Sequence, residues 1–376
     1  MKLLVALEDT GSIKEVECLR GTDTSVQTAK QPISIVNHAA ESRATHILKF
    51  LVTSDSKYVV AARKGGAIVI YERDTFEEVK RYTNMTANES SAFVSLIQDS
   101  TSLIYACCEN GVVSVIDLEN LNREDNDTQH PIKLELVAPV SCFVLNPNQK
   151  GIFAYGGKDN EVKVISITNG KLEQLWESKN VPLDQLRLPV PVWVSGINFL
   201  DTDSVKGQSG YHLLVVTRYG HIRMYKTWLK RRPVKTFQPT TKPLRTITHT
   251  STNSNAVSSD SAGLVGKFSL KDGKMVGKFH GSVGFVRALY NYRYSVIATG
   301  GLDRYVRVYD LDTCRILAKV FVTSQITDIV MLEDGEKLME EKMIRKEKEK
   351  EQAVKEAEAL WEELEKNSST RKKKKL

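Results

Sequence analysis

The 376-residue chain lacks any apolar run approaching the roughly 18 to 20 residues that span a bilayer. Its opening run, Leu3 to Leu7, stops at Glu8, short of the roughly 7 to 15 apolar residues of a signal-peptide core. That run reads as a first strand. Cysteine is scarce: Cys18, Cys107, Cys108, Cys142 and Cys314 are odd in number and show no CxxC or Cys/His spacing. They read as buried thiols in a reducing compartment, which leaves the sequon-like Asn84-Met85-Thr86 without bearing. The seven histidines never pair at i, i+4 and no HExxH occurs, so no local zinc motif is present.

Other catalytic signatures are missing too. GLVGKFS at Gly263 has the glycines and lysine of a phosphate loop but not its spacing. HGSVG at His280 lacks the first glycine of a nucleophile elbow. No cofactor or metal is expected, and the chain reads as a non-enzyme.

What is present is an ordinary globular composition, 41% hydrophobic and 26% charged, with a net charge of +7. From Glu333 onward 13 basic and 13 acidic residues cancel, so the excess lies in the body before that point.

The body is periodic. ATHILKFLVTSDSKYVVAARKGGAIVIYERD from Ala44, APVSCFVLNPNQKGIFAYGGKDNEVKVISIT from Ala138 and GSVGFVRALYNYRYSVIATGGLDRYVRVYDLD from Gly281 share one order of apolar runs and polar turns. Each unit offers four short strand-like segments, here called a to d, and a period of roughly 40 to 45 residues signals a propeller. Further units begin near Ser91, Val192 and Leu244, making six complete blades. The remainder is LLVALED, SIKEVECL and SVQTAK at the start and ITDIVML after blade seven. The expectation is an all-β, seven-bladed WD40-type propeller over residues 1–332. Strand 326–332 would join the three N-terminal strands in blade one, since closure protects sheet edges. LNREDNDTQHP, NVPLDQLRLPVP and DTDSVKGQSGY are polar or Pro/Gly-marked insertions outside the core.

In WD40-type repeats a Ser or Thr on strand b, an Asp in the b–c turn, an aromatic on strand c and a His before strand a lock the blade. Thr299, Asp303 and Tyr309 occupy three of those positions, Tyr309 standing in a Trp slot. The His slot holds Gly281-Ser282, with His280 slightly upstream. Asp303 is expected to accept from its own turn's backbone.

Two surfaces are candidates for partners. The b–c turns carry Arg63, Lys64, Lys158, Arg218 and Arg304 among Glu8, Asp9, Glu109, Asp159 and Asp260, a mixed face suited to proteins. The stretch Arg218 to Lys242 holds eight Lys/Arg, no acid and interleaved aromatics. Arg218, Arg223, Lys226, Lys230, Arg231, Arg232 and Lys235 could neutralise phosphates, with Trp228 stacking on a base. The plainer reading puts its other aromatics in the core and leaves only Trp228 to Pro233 as a surface loop. Residues 333–366 read as a charged helical extension and residues 367–376 as a basic disordered tail. Arg371, Lys372, Lys373, Lys374 and Lys375 form a candidate nuclear-targeting cluster.

SDSAGLVGKFSLKDGKMVGKFHGS (Ser259 to Ser282) and ATGGLDRYVRVYDLDT (Ala298 to Thr313), on a worn propeller with a lysine-rich end, resemble the fungal Nop-seven-associated family, similar to animal WD-repeat protein seventy-four. The resemblance implies a nucleolar scaffold on precursors of the large (60S) ribosomal subunit. It also implies partners among assembly proteins, possible contact with rRNA, release by an AAA-type ATPase, and a monomer within a larger complex. The alternatives are a nuclear RNA-binding propeller that reads sequence and an adaptor of another complex.

Overall fold

The computed structural model describes residues 1–86, 91–99, 102–121, 131–183, 185–200 and 210–335. These form seven antiparallel sheets arranged as a propeller. Blade one comprises Ile326–Glu333, Lys2–Leu7, Ile13–Glu17 and Ser34–His38. Blade two comprises Ile47–Val52, Tyr58–Arg63, Ala67–Glu72 and Glu78–Tyr82, and blade three Phe93–Gln98, Leu103–Cys108, Val112–Asp117 and Ile132–Glu135. Blade four comprises Cys142–Leu145, Ile152–Gly157, Asn160–Thr168 and Lys171–Glu177, and blade five Val194–Leu200, His212–Thr217, Ile222–Lys226 and Lys235–Phe237. Blade six comprises Leu244–His249, Asn255–Asp260, Val265–Ser269 and Met275–Phe279, and blade seven Val286–Tyr292, Val296–Gly301, Tyr305–Asp310 and Ile316–Phe321. The a strands touch one another around a closed ring, which places them at the axis.

Composition follows position. The b strands, such as YVVAAR and LIYACC, are buried along nearly their whole length because both sheet faces meet a neighbouring blade. The d strands carry charge, as in EVKRY and KLEQLWE, and are largely exposed, which protects the outer edge from pairing. Alternation along Lys2–Leu7 splits the strand between two interfaces: Leu3, Val5 and Leu7 pack with blade seven, Leu4 and Ala6 with blade two. Each fully buried leucine or valine among them contributes about 1.5–3 kcal/mol.

Lys2–Leu7 pairs antiparallel with Ile326–Glu333, Leu4 opposite Val330, so residues from both ends of the propeller share blade one. The outer strand of that blade differs from the sequence expectation: it is Ser34–His38, not SVQTAK. Asp23 explains this, since its carboxylate accepts from the backbone N–H and hydroxyl of Ser25 and starts a turn there. Thr22–Asp23 instead adds a short parallel fifth strand to blade seven, opposite Ala318 and Lys319.

The four cysteines Cys18, Cys107, Cys108 and Cys142 are buried, Cys314 is half-buried, and all five are free. Of the helical extension expected over residues 333–366, Glu333 instead ends the axial strand of blade one and Asp334 and Gly335 are not helical; the remainder, and the basic cluster Arg371 to Lys375, lie outside the described residues.

Candidate partner-binding surface

Successive antiparallel strands put the b–c turns and the c–d loops at opposite ends of each blade. The basic stretch from Arg218 is therefore divided: Arg218 sits in the b–c turn of blade five, and Lys230 to Arg232 lie in its c–d loop. They do not form one track.

Several predicted contacts are committed to the fold. Arg63 is 0% exposed. As the last residue of a b strand, opposite Ile47 and Ala67, it turns inward rather than onto the turn. Its guanidinium donates to Gly11 O (2.8 Å), Thr45 O (3.1 Å), Ala39 O (2.8 Å) and the Tyr71 hydroxyl (2.8 Å), and Nε lies 3.1 Å from Glu41. It stitches blade one to blade two and is not a partner contact. Arg223, 2% exposed, is likewise interior, in a c strand between Val215 and Thr236.

Trp228 is half-buried, edge-on to the His212 ring at 6.2 Å with Lys226 Nζ 5.7 Å from its centroid, so its ring is engaged by its own blade. Arg231 reaches Glu177 at 3.0 Å and also donates to Glu177 O; Arg232 donates to Asn180 O. These contacts tie blade five to the outer segment of blade four. Lys235 Nζ donates to Leu270 O and Lys271 O of blade six. Lys230 stays exposed.

The b–c face keeps Lys64, Lys158 and Arg304 exposed and Arg218 half-buried. Lys158 Nζ and the Arg218 guanidinium both lie over Trp193, 5.4 and 5.1 Å from its centroid. Trp193 is fixed beneath them, its indole N–H donating to Ser141 Oγ and its carbonyl accepting from Arg218 N. Toward the axis, Arg245 lies 5.6 Å from the Phe285 centroid, and Arg287 is ion-paired with Glu8. Trp193, Arg245, Phe285 and Arg287 are absent from the sequence-based candidates. They come from four positions scattered over blades five to seven, and the stacking of successive axial strands brings them to one face.

In blade seven, Asp303 accepts from Val283 N (3.1 Å) and Tyr305 N (3.4 Å) and pairs with Arg307 at 2.6 Å. The Tyr309 hydroxyl donates to His280 O at 2.8 Å, so the carbonyl of His280, not its exposed imidazole, closes the circuit. Thr299 is fully buried on strand b. Burial pushes the Tyr309 phenol up, opposed by Ser282, Arg307 and Thr299. Arg307 is the member the sequence reading missed. Its signal is the repeated Arg-x-Tyr of Arg307-Val308-Tyr309 and Arg223-Met224-Tyr225, spacing that puts both side chains on one strand face.

Among the described residues no group of three or more His, Cys, Asp and Glu side chains is placed to hold a metal ion. No protein-family model matches the chain. The ribosome biogenesis protein NSA1 of Yarrowia lipolytica is 32% identical over 397 aligned residues, covering 97% of this chain and 94% of that protein. The chain belongs to the NSA1 family. NSA1 of Saccharomyces cerevisiae strain YJM789 is 28% identical, covering 97% of both chains. The WD40 propeller of Doa1 superposes with a TM-score of 0.60 at 14% identity, over 88% of this chain and 91% of that one, which speaks for the fold alone. The similarity to NSA1 thus takes in every blade of the propeller, the degenerate ones included.

Proposed function

We propose that this NSA1-family protein is a non-enzymatic assembly factor for the large (60S) ribosomal subunit that holds partner proteins on its b–c face. The observation that carries the reading is near-full-length similarity to proteins named for ribosome biogenesis. Its b–c face supports it. Exposed Lys64, Lys158 and Arg304 stand among Glu8, Asp9 and Glu109, the mixed polarity of a protein-binding surface. Continuous rRNA binding along Arg218 to Lys242 has less support, because Arg223 is interior and Arg231, Arg232 and Lys235 bond to neighbouring blades. Lys230 remains the residue of that loop best placed for a phosphate.

The rest of the proposal rests on sequence and family resemblance. Arg371 to Lys375 direct the chain to the nucleus and nucleolus, and an AAA-type ATPase releases it. Gradient sedimentation of the tagged chain tests the reading. The wild type should travel with large-subunit precursors, and Lys64→Glu/Arg304→Glu should move much of it to the free pool. Co-sedimentation with small-subunit precursors alone would overturn it.

A further inference from the structure

Three arginines near the b–c face are given acidic partners by the chain itself. Arg63 has Glu41, Arg287 has Glu8 and Arg307 has Asp303. Arg218 and Arg245 differ. Among the described residues neither guanidinium has a carboxylate within 4.0 Å. Arg218 Nε is buried and donates to no acceptor among the described residues.

Their placement is built, not incidental. Arg218 is held by its backbone bond to Trp193 O and lies over the Trp193 ring. Arg245 occupies a register shift between Leu244 and Thr246, a β-bulge in the axial strand of blade six. The extra residue leaves the strand's alternation, and the guanidinium lies against Phe285. It is exposed to solvent on the axial strand, yet the protein around it disfavours its charge. Burial, then the like charges of Arg218 and Arg287, pull the Arg245 guanidinium below its ordinary range, and burial does the same to Arg218. Two cations that lie against aromatic rings with no carboxylate in ion-pair contact leave favourable interaction unmade.

We propose that Arg218, Arg245 and Trp193 form a receptor for a single acidic side chain of a partner polypeptide, docked on the b–c face beside the axial strand of blade six. A carboxylate fits the planar guanidinium fork bidentately and relieves the repulsion between the two arginines. A nucleic-acid backbone fits less well. Glu109 acts electrostatically on Arg245 and Glu8 is ion-paired with the neighbouring Arg287, whereas successive phosphates need an uninterrupted basic track. This inference rests on the reading that the b–c face holds proteins and names the chemistry of one contact there. It can fail while the protein still travels with ribosomal precursors.

The test uses the full chain and fluorescein-labelled hexaglutamate, read by anisotropy at low salt, with labelled oligouridylate of six nucleotides as comparator. Saturable hexaglutamate binding should weaken at least tenfold in Arg218→Gln/Arg245→Gln. It should stay within twofold in Lys230→Gln/Lys271→Gln, which removes the same charge elsewhere. Arg218→Lys/Arg245→Lys, which keeps charge but loses the fork, should fall between. The glutamine pair should unfold at or above the wild-type temperature, because it removes uncompensated charge. The proposal is overturned if hexaglutamate fails to bind the wild type or if both glutamine pairs weaken it equally. It is also overturned if the Arg218/Arg245 pair weakens oligouridylate more than peptide.

Discussion

Leu4 lies directly opposite Val330, so the second strand of blade one comes from the start of the chain and its axial strand from the end of the propeller. Leu4 also packs into the core between blades one and two. Replacing it with alanine should lower stability by about 2–5 kcal/mol, the usual penalty for a buried leucine cavity. Denaturant unfolding measures this. A change below about 0.5 kcal/mol would mean that the closure carries no stability.

Arg63 and Lys64 are neighbours with opposite expected behaviour. Arg63→Ala leaves four oxygen acceptors without their donor, while Glu41 keeps Arg81 at 2.7 Å. The expected loss is about 1–3 kcal/mol, typical of leaving buried hydrogen-bonding groups unsatisfied. Lys64→Ala should be within about 0.5 kcal/mol of the wild type, as for surface substitutions. Parallel chemical denaturation of the two variants compares them. Equal stabilities would show that Arg63 does not stitch the blades.

These neighbours also show what the sequence makes legible. Period and strand order are readable because turn residues and apolar runs recur at fixed spacing, and Asp303 and Tyr309 follow from that alignment. Which side of a strand boundary Arg63 falls on is a matter of one residue of register, and RKGG reads equally well as turn. Trp193, Arg245 and Phe285 reach one face only through the stacking of blades five to seven and a bulge, neither of which leaves a local pattern. SVQTAK has the composition of a weak edge strand, and only the bonds around Asp23 show it to be a turn.

Acid should weaken the blade-seven exit turn. Asp310 accepts from Thr313 N at 2.7 Å, from the Thr313 hydroxyl at 2.7 Å and from Asp312 N at 3.1 Å. The Thr313 backbone N–H leads in holding its carboxyl below the ordinary value, against a smaller opposing effect of burial. A depressed folded pKa means this stabilisation is present above the unfolded value, about 3.9. It is lost as pH falls through the folded one. Asp310→Asn should flatten the decline in melting temperature below about pH 4. An unchanged acid limb would contradict the assignment.

Thiol reactivity should sort by burial. Burial pushes Cys142 and Cys108 up to about 12 and Cys18 up to about 11, which leaves almost no thiolate at neutral pH. Cys314, half-buried after the c strand of blade seven, is raised less. Timed maleimide labelling with mass spectrometry should modify Cys314 first in the folded protein. Early labelling of Cys107, Cys108 or Cys142 would indicate that blades three and four open locally.

The central claim, an NSA1-family scaffold of large-subunit assembly, is tested most directly by the RNA that co-purifies with the tagged full-length chain at low salt. The account predicts precursors of the large-subunit rRNA together with other assembly proteins. Recovery of cytoplasmic complexes without pre-ribosomal RNA would contradict it.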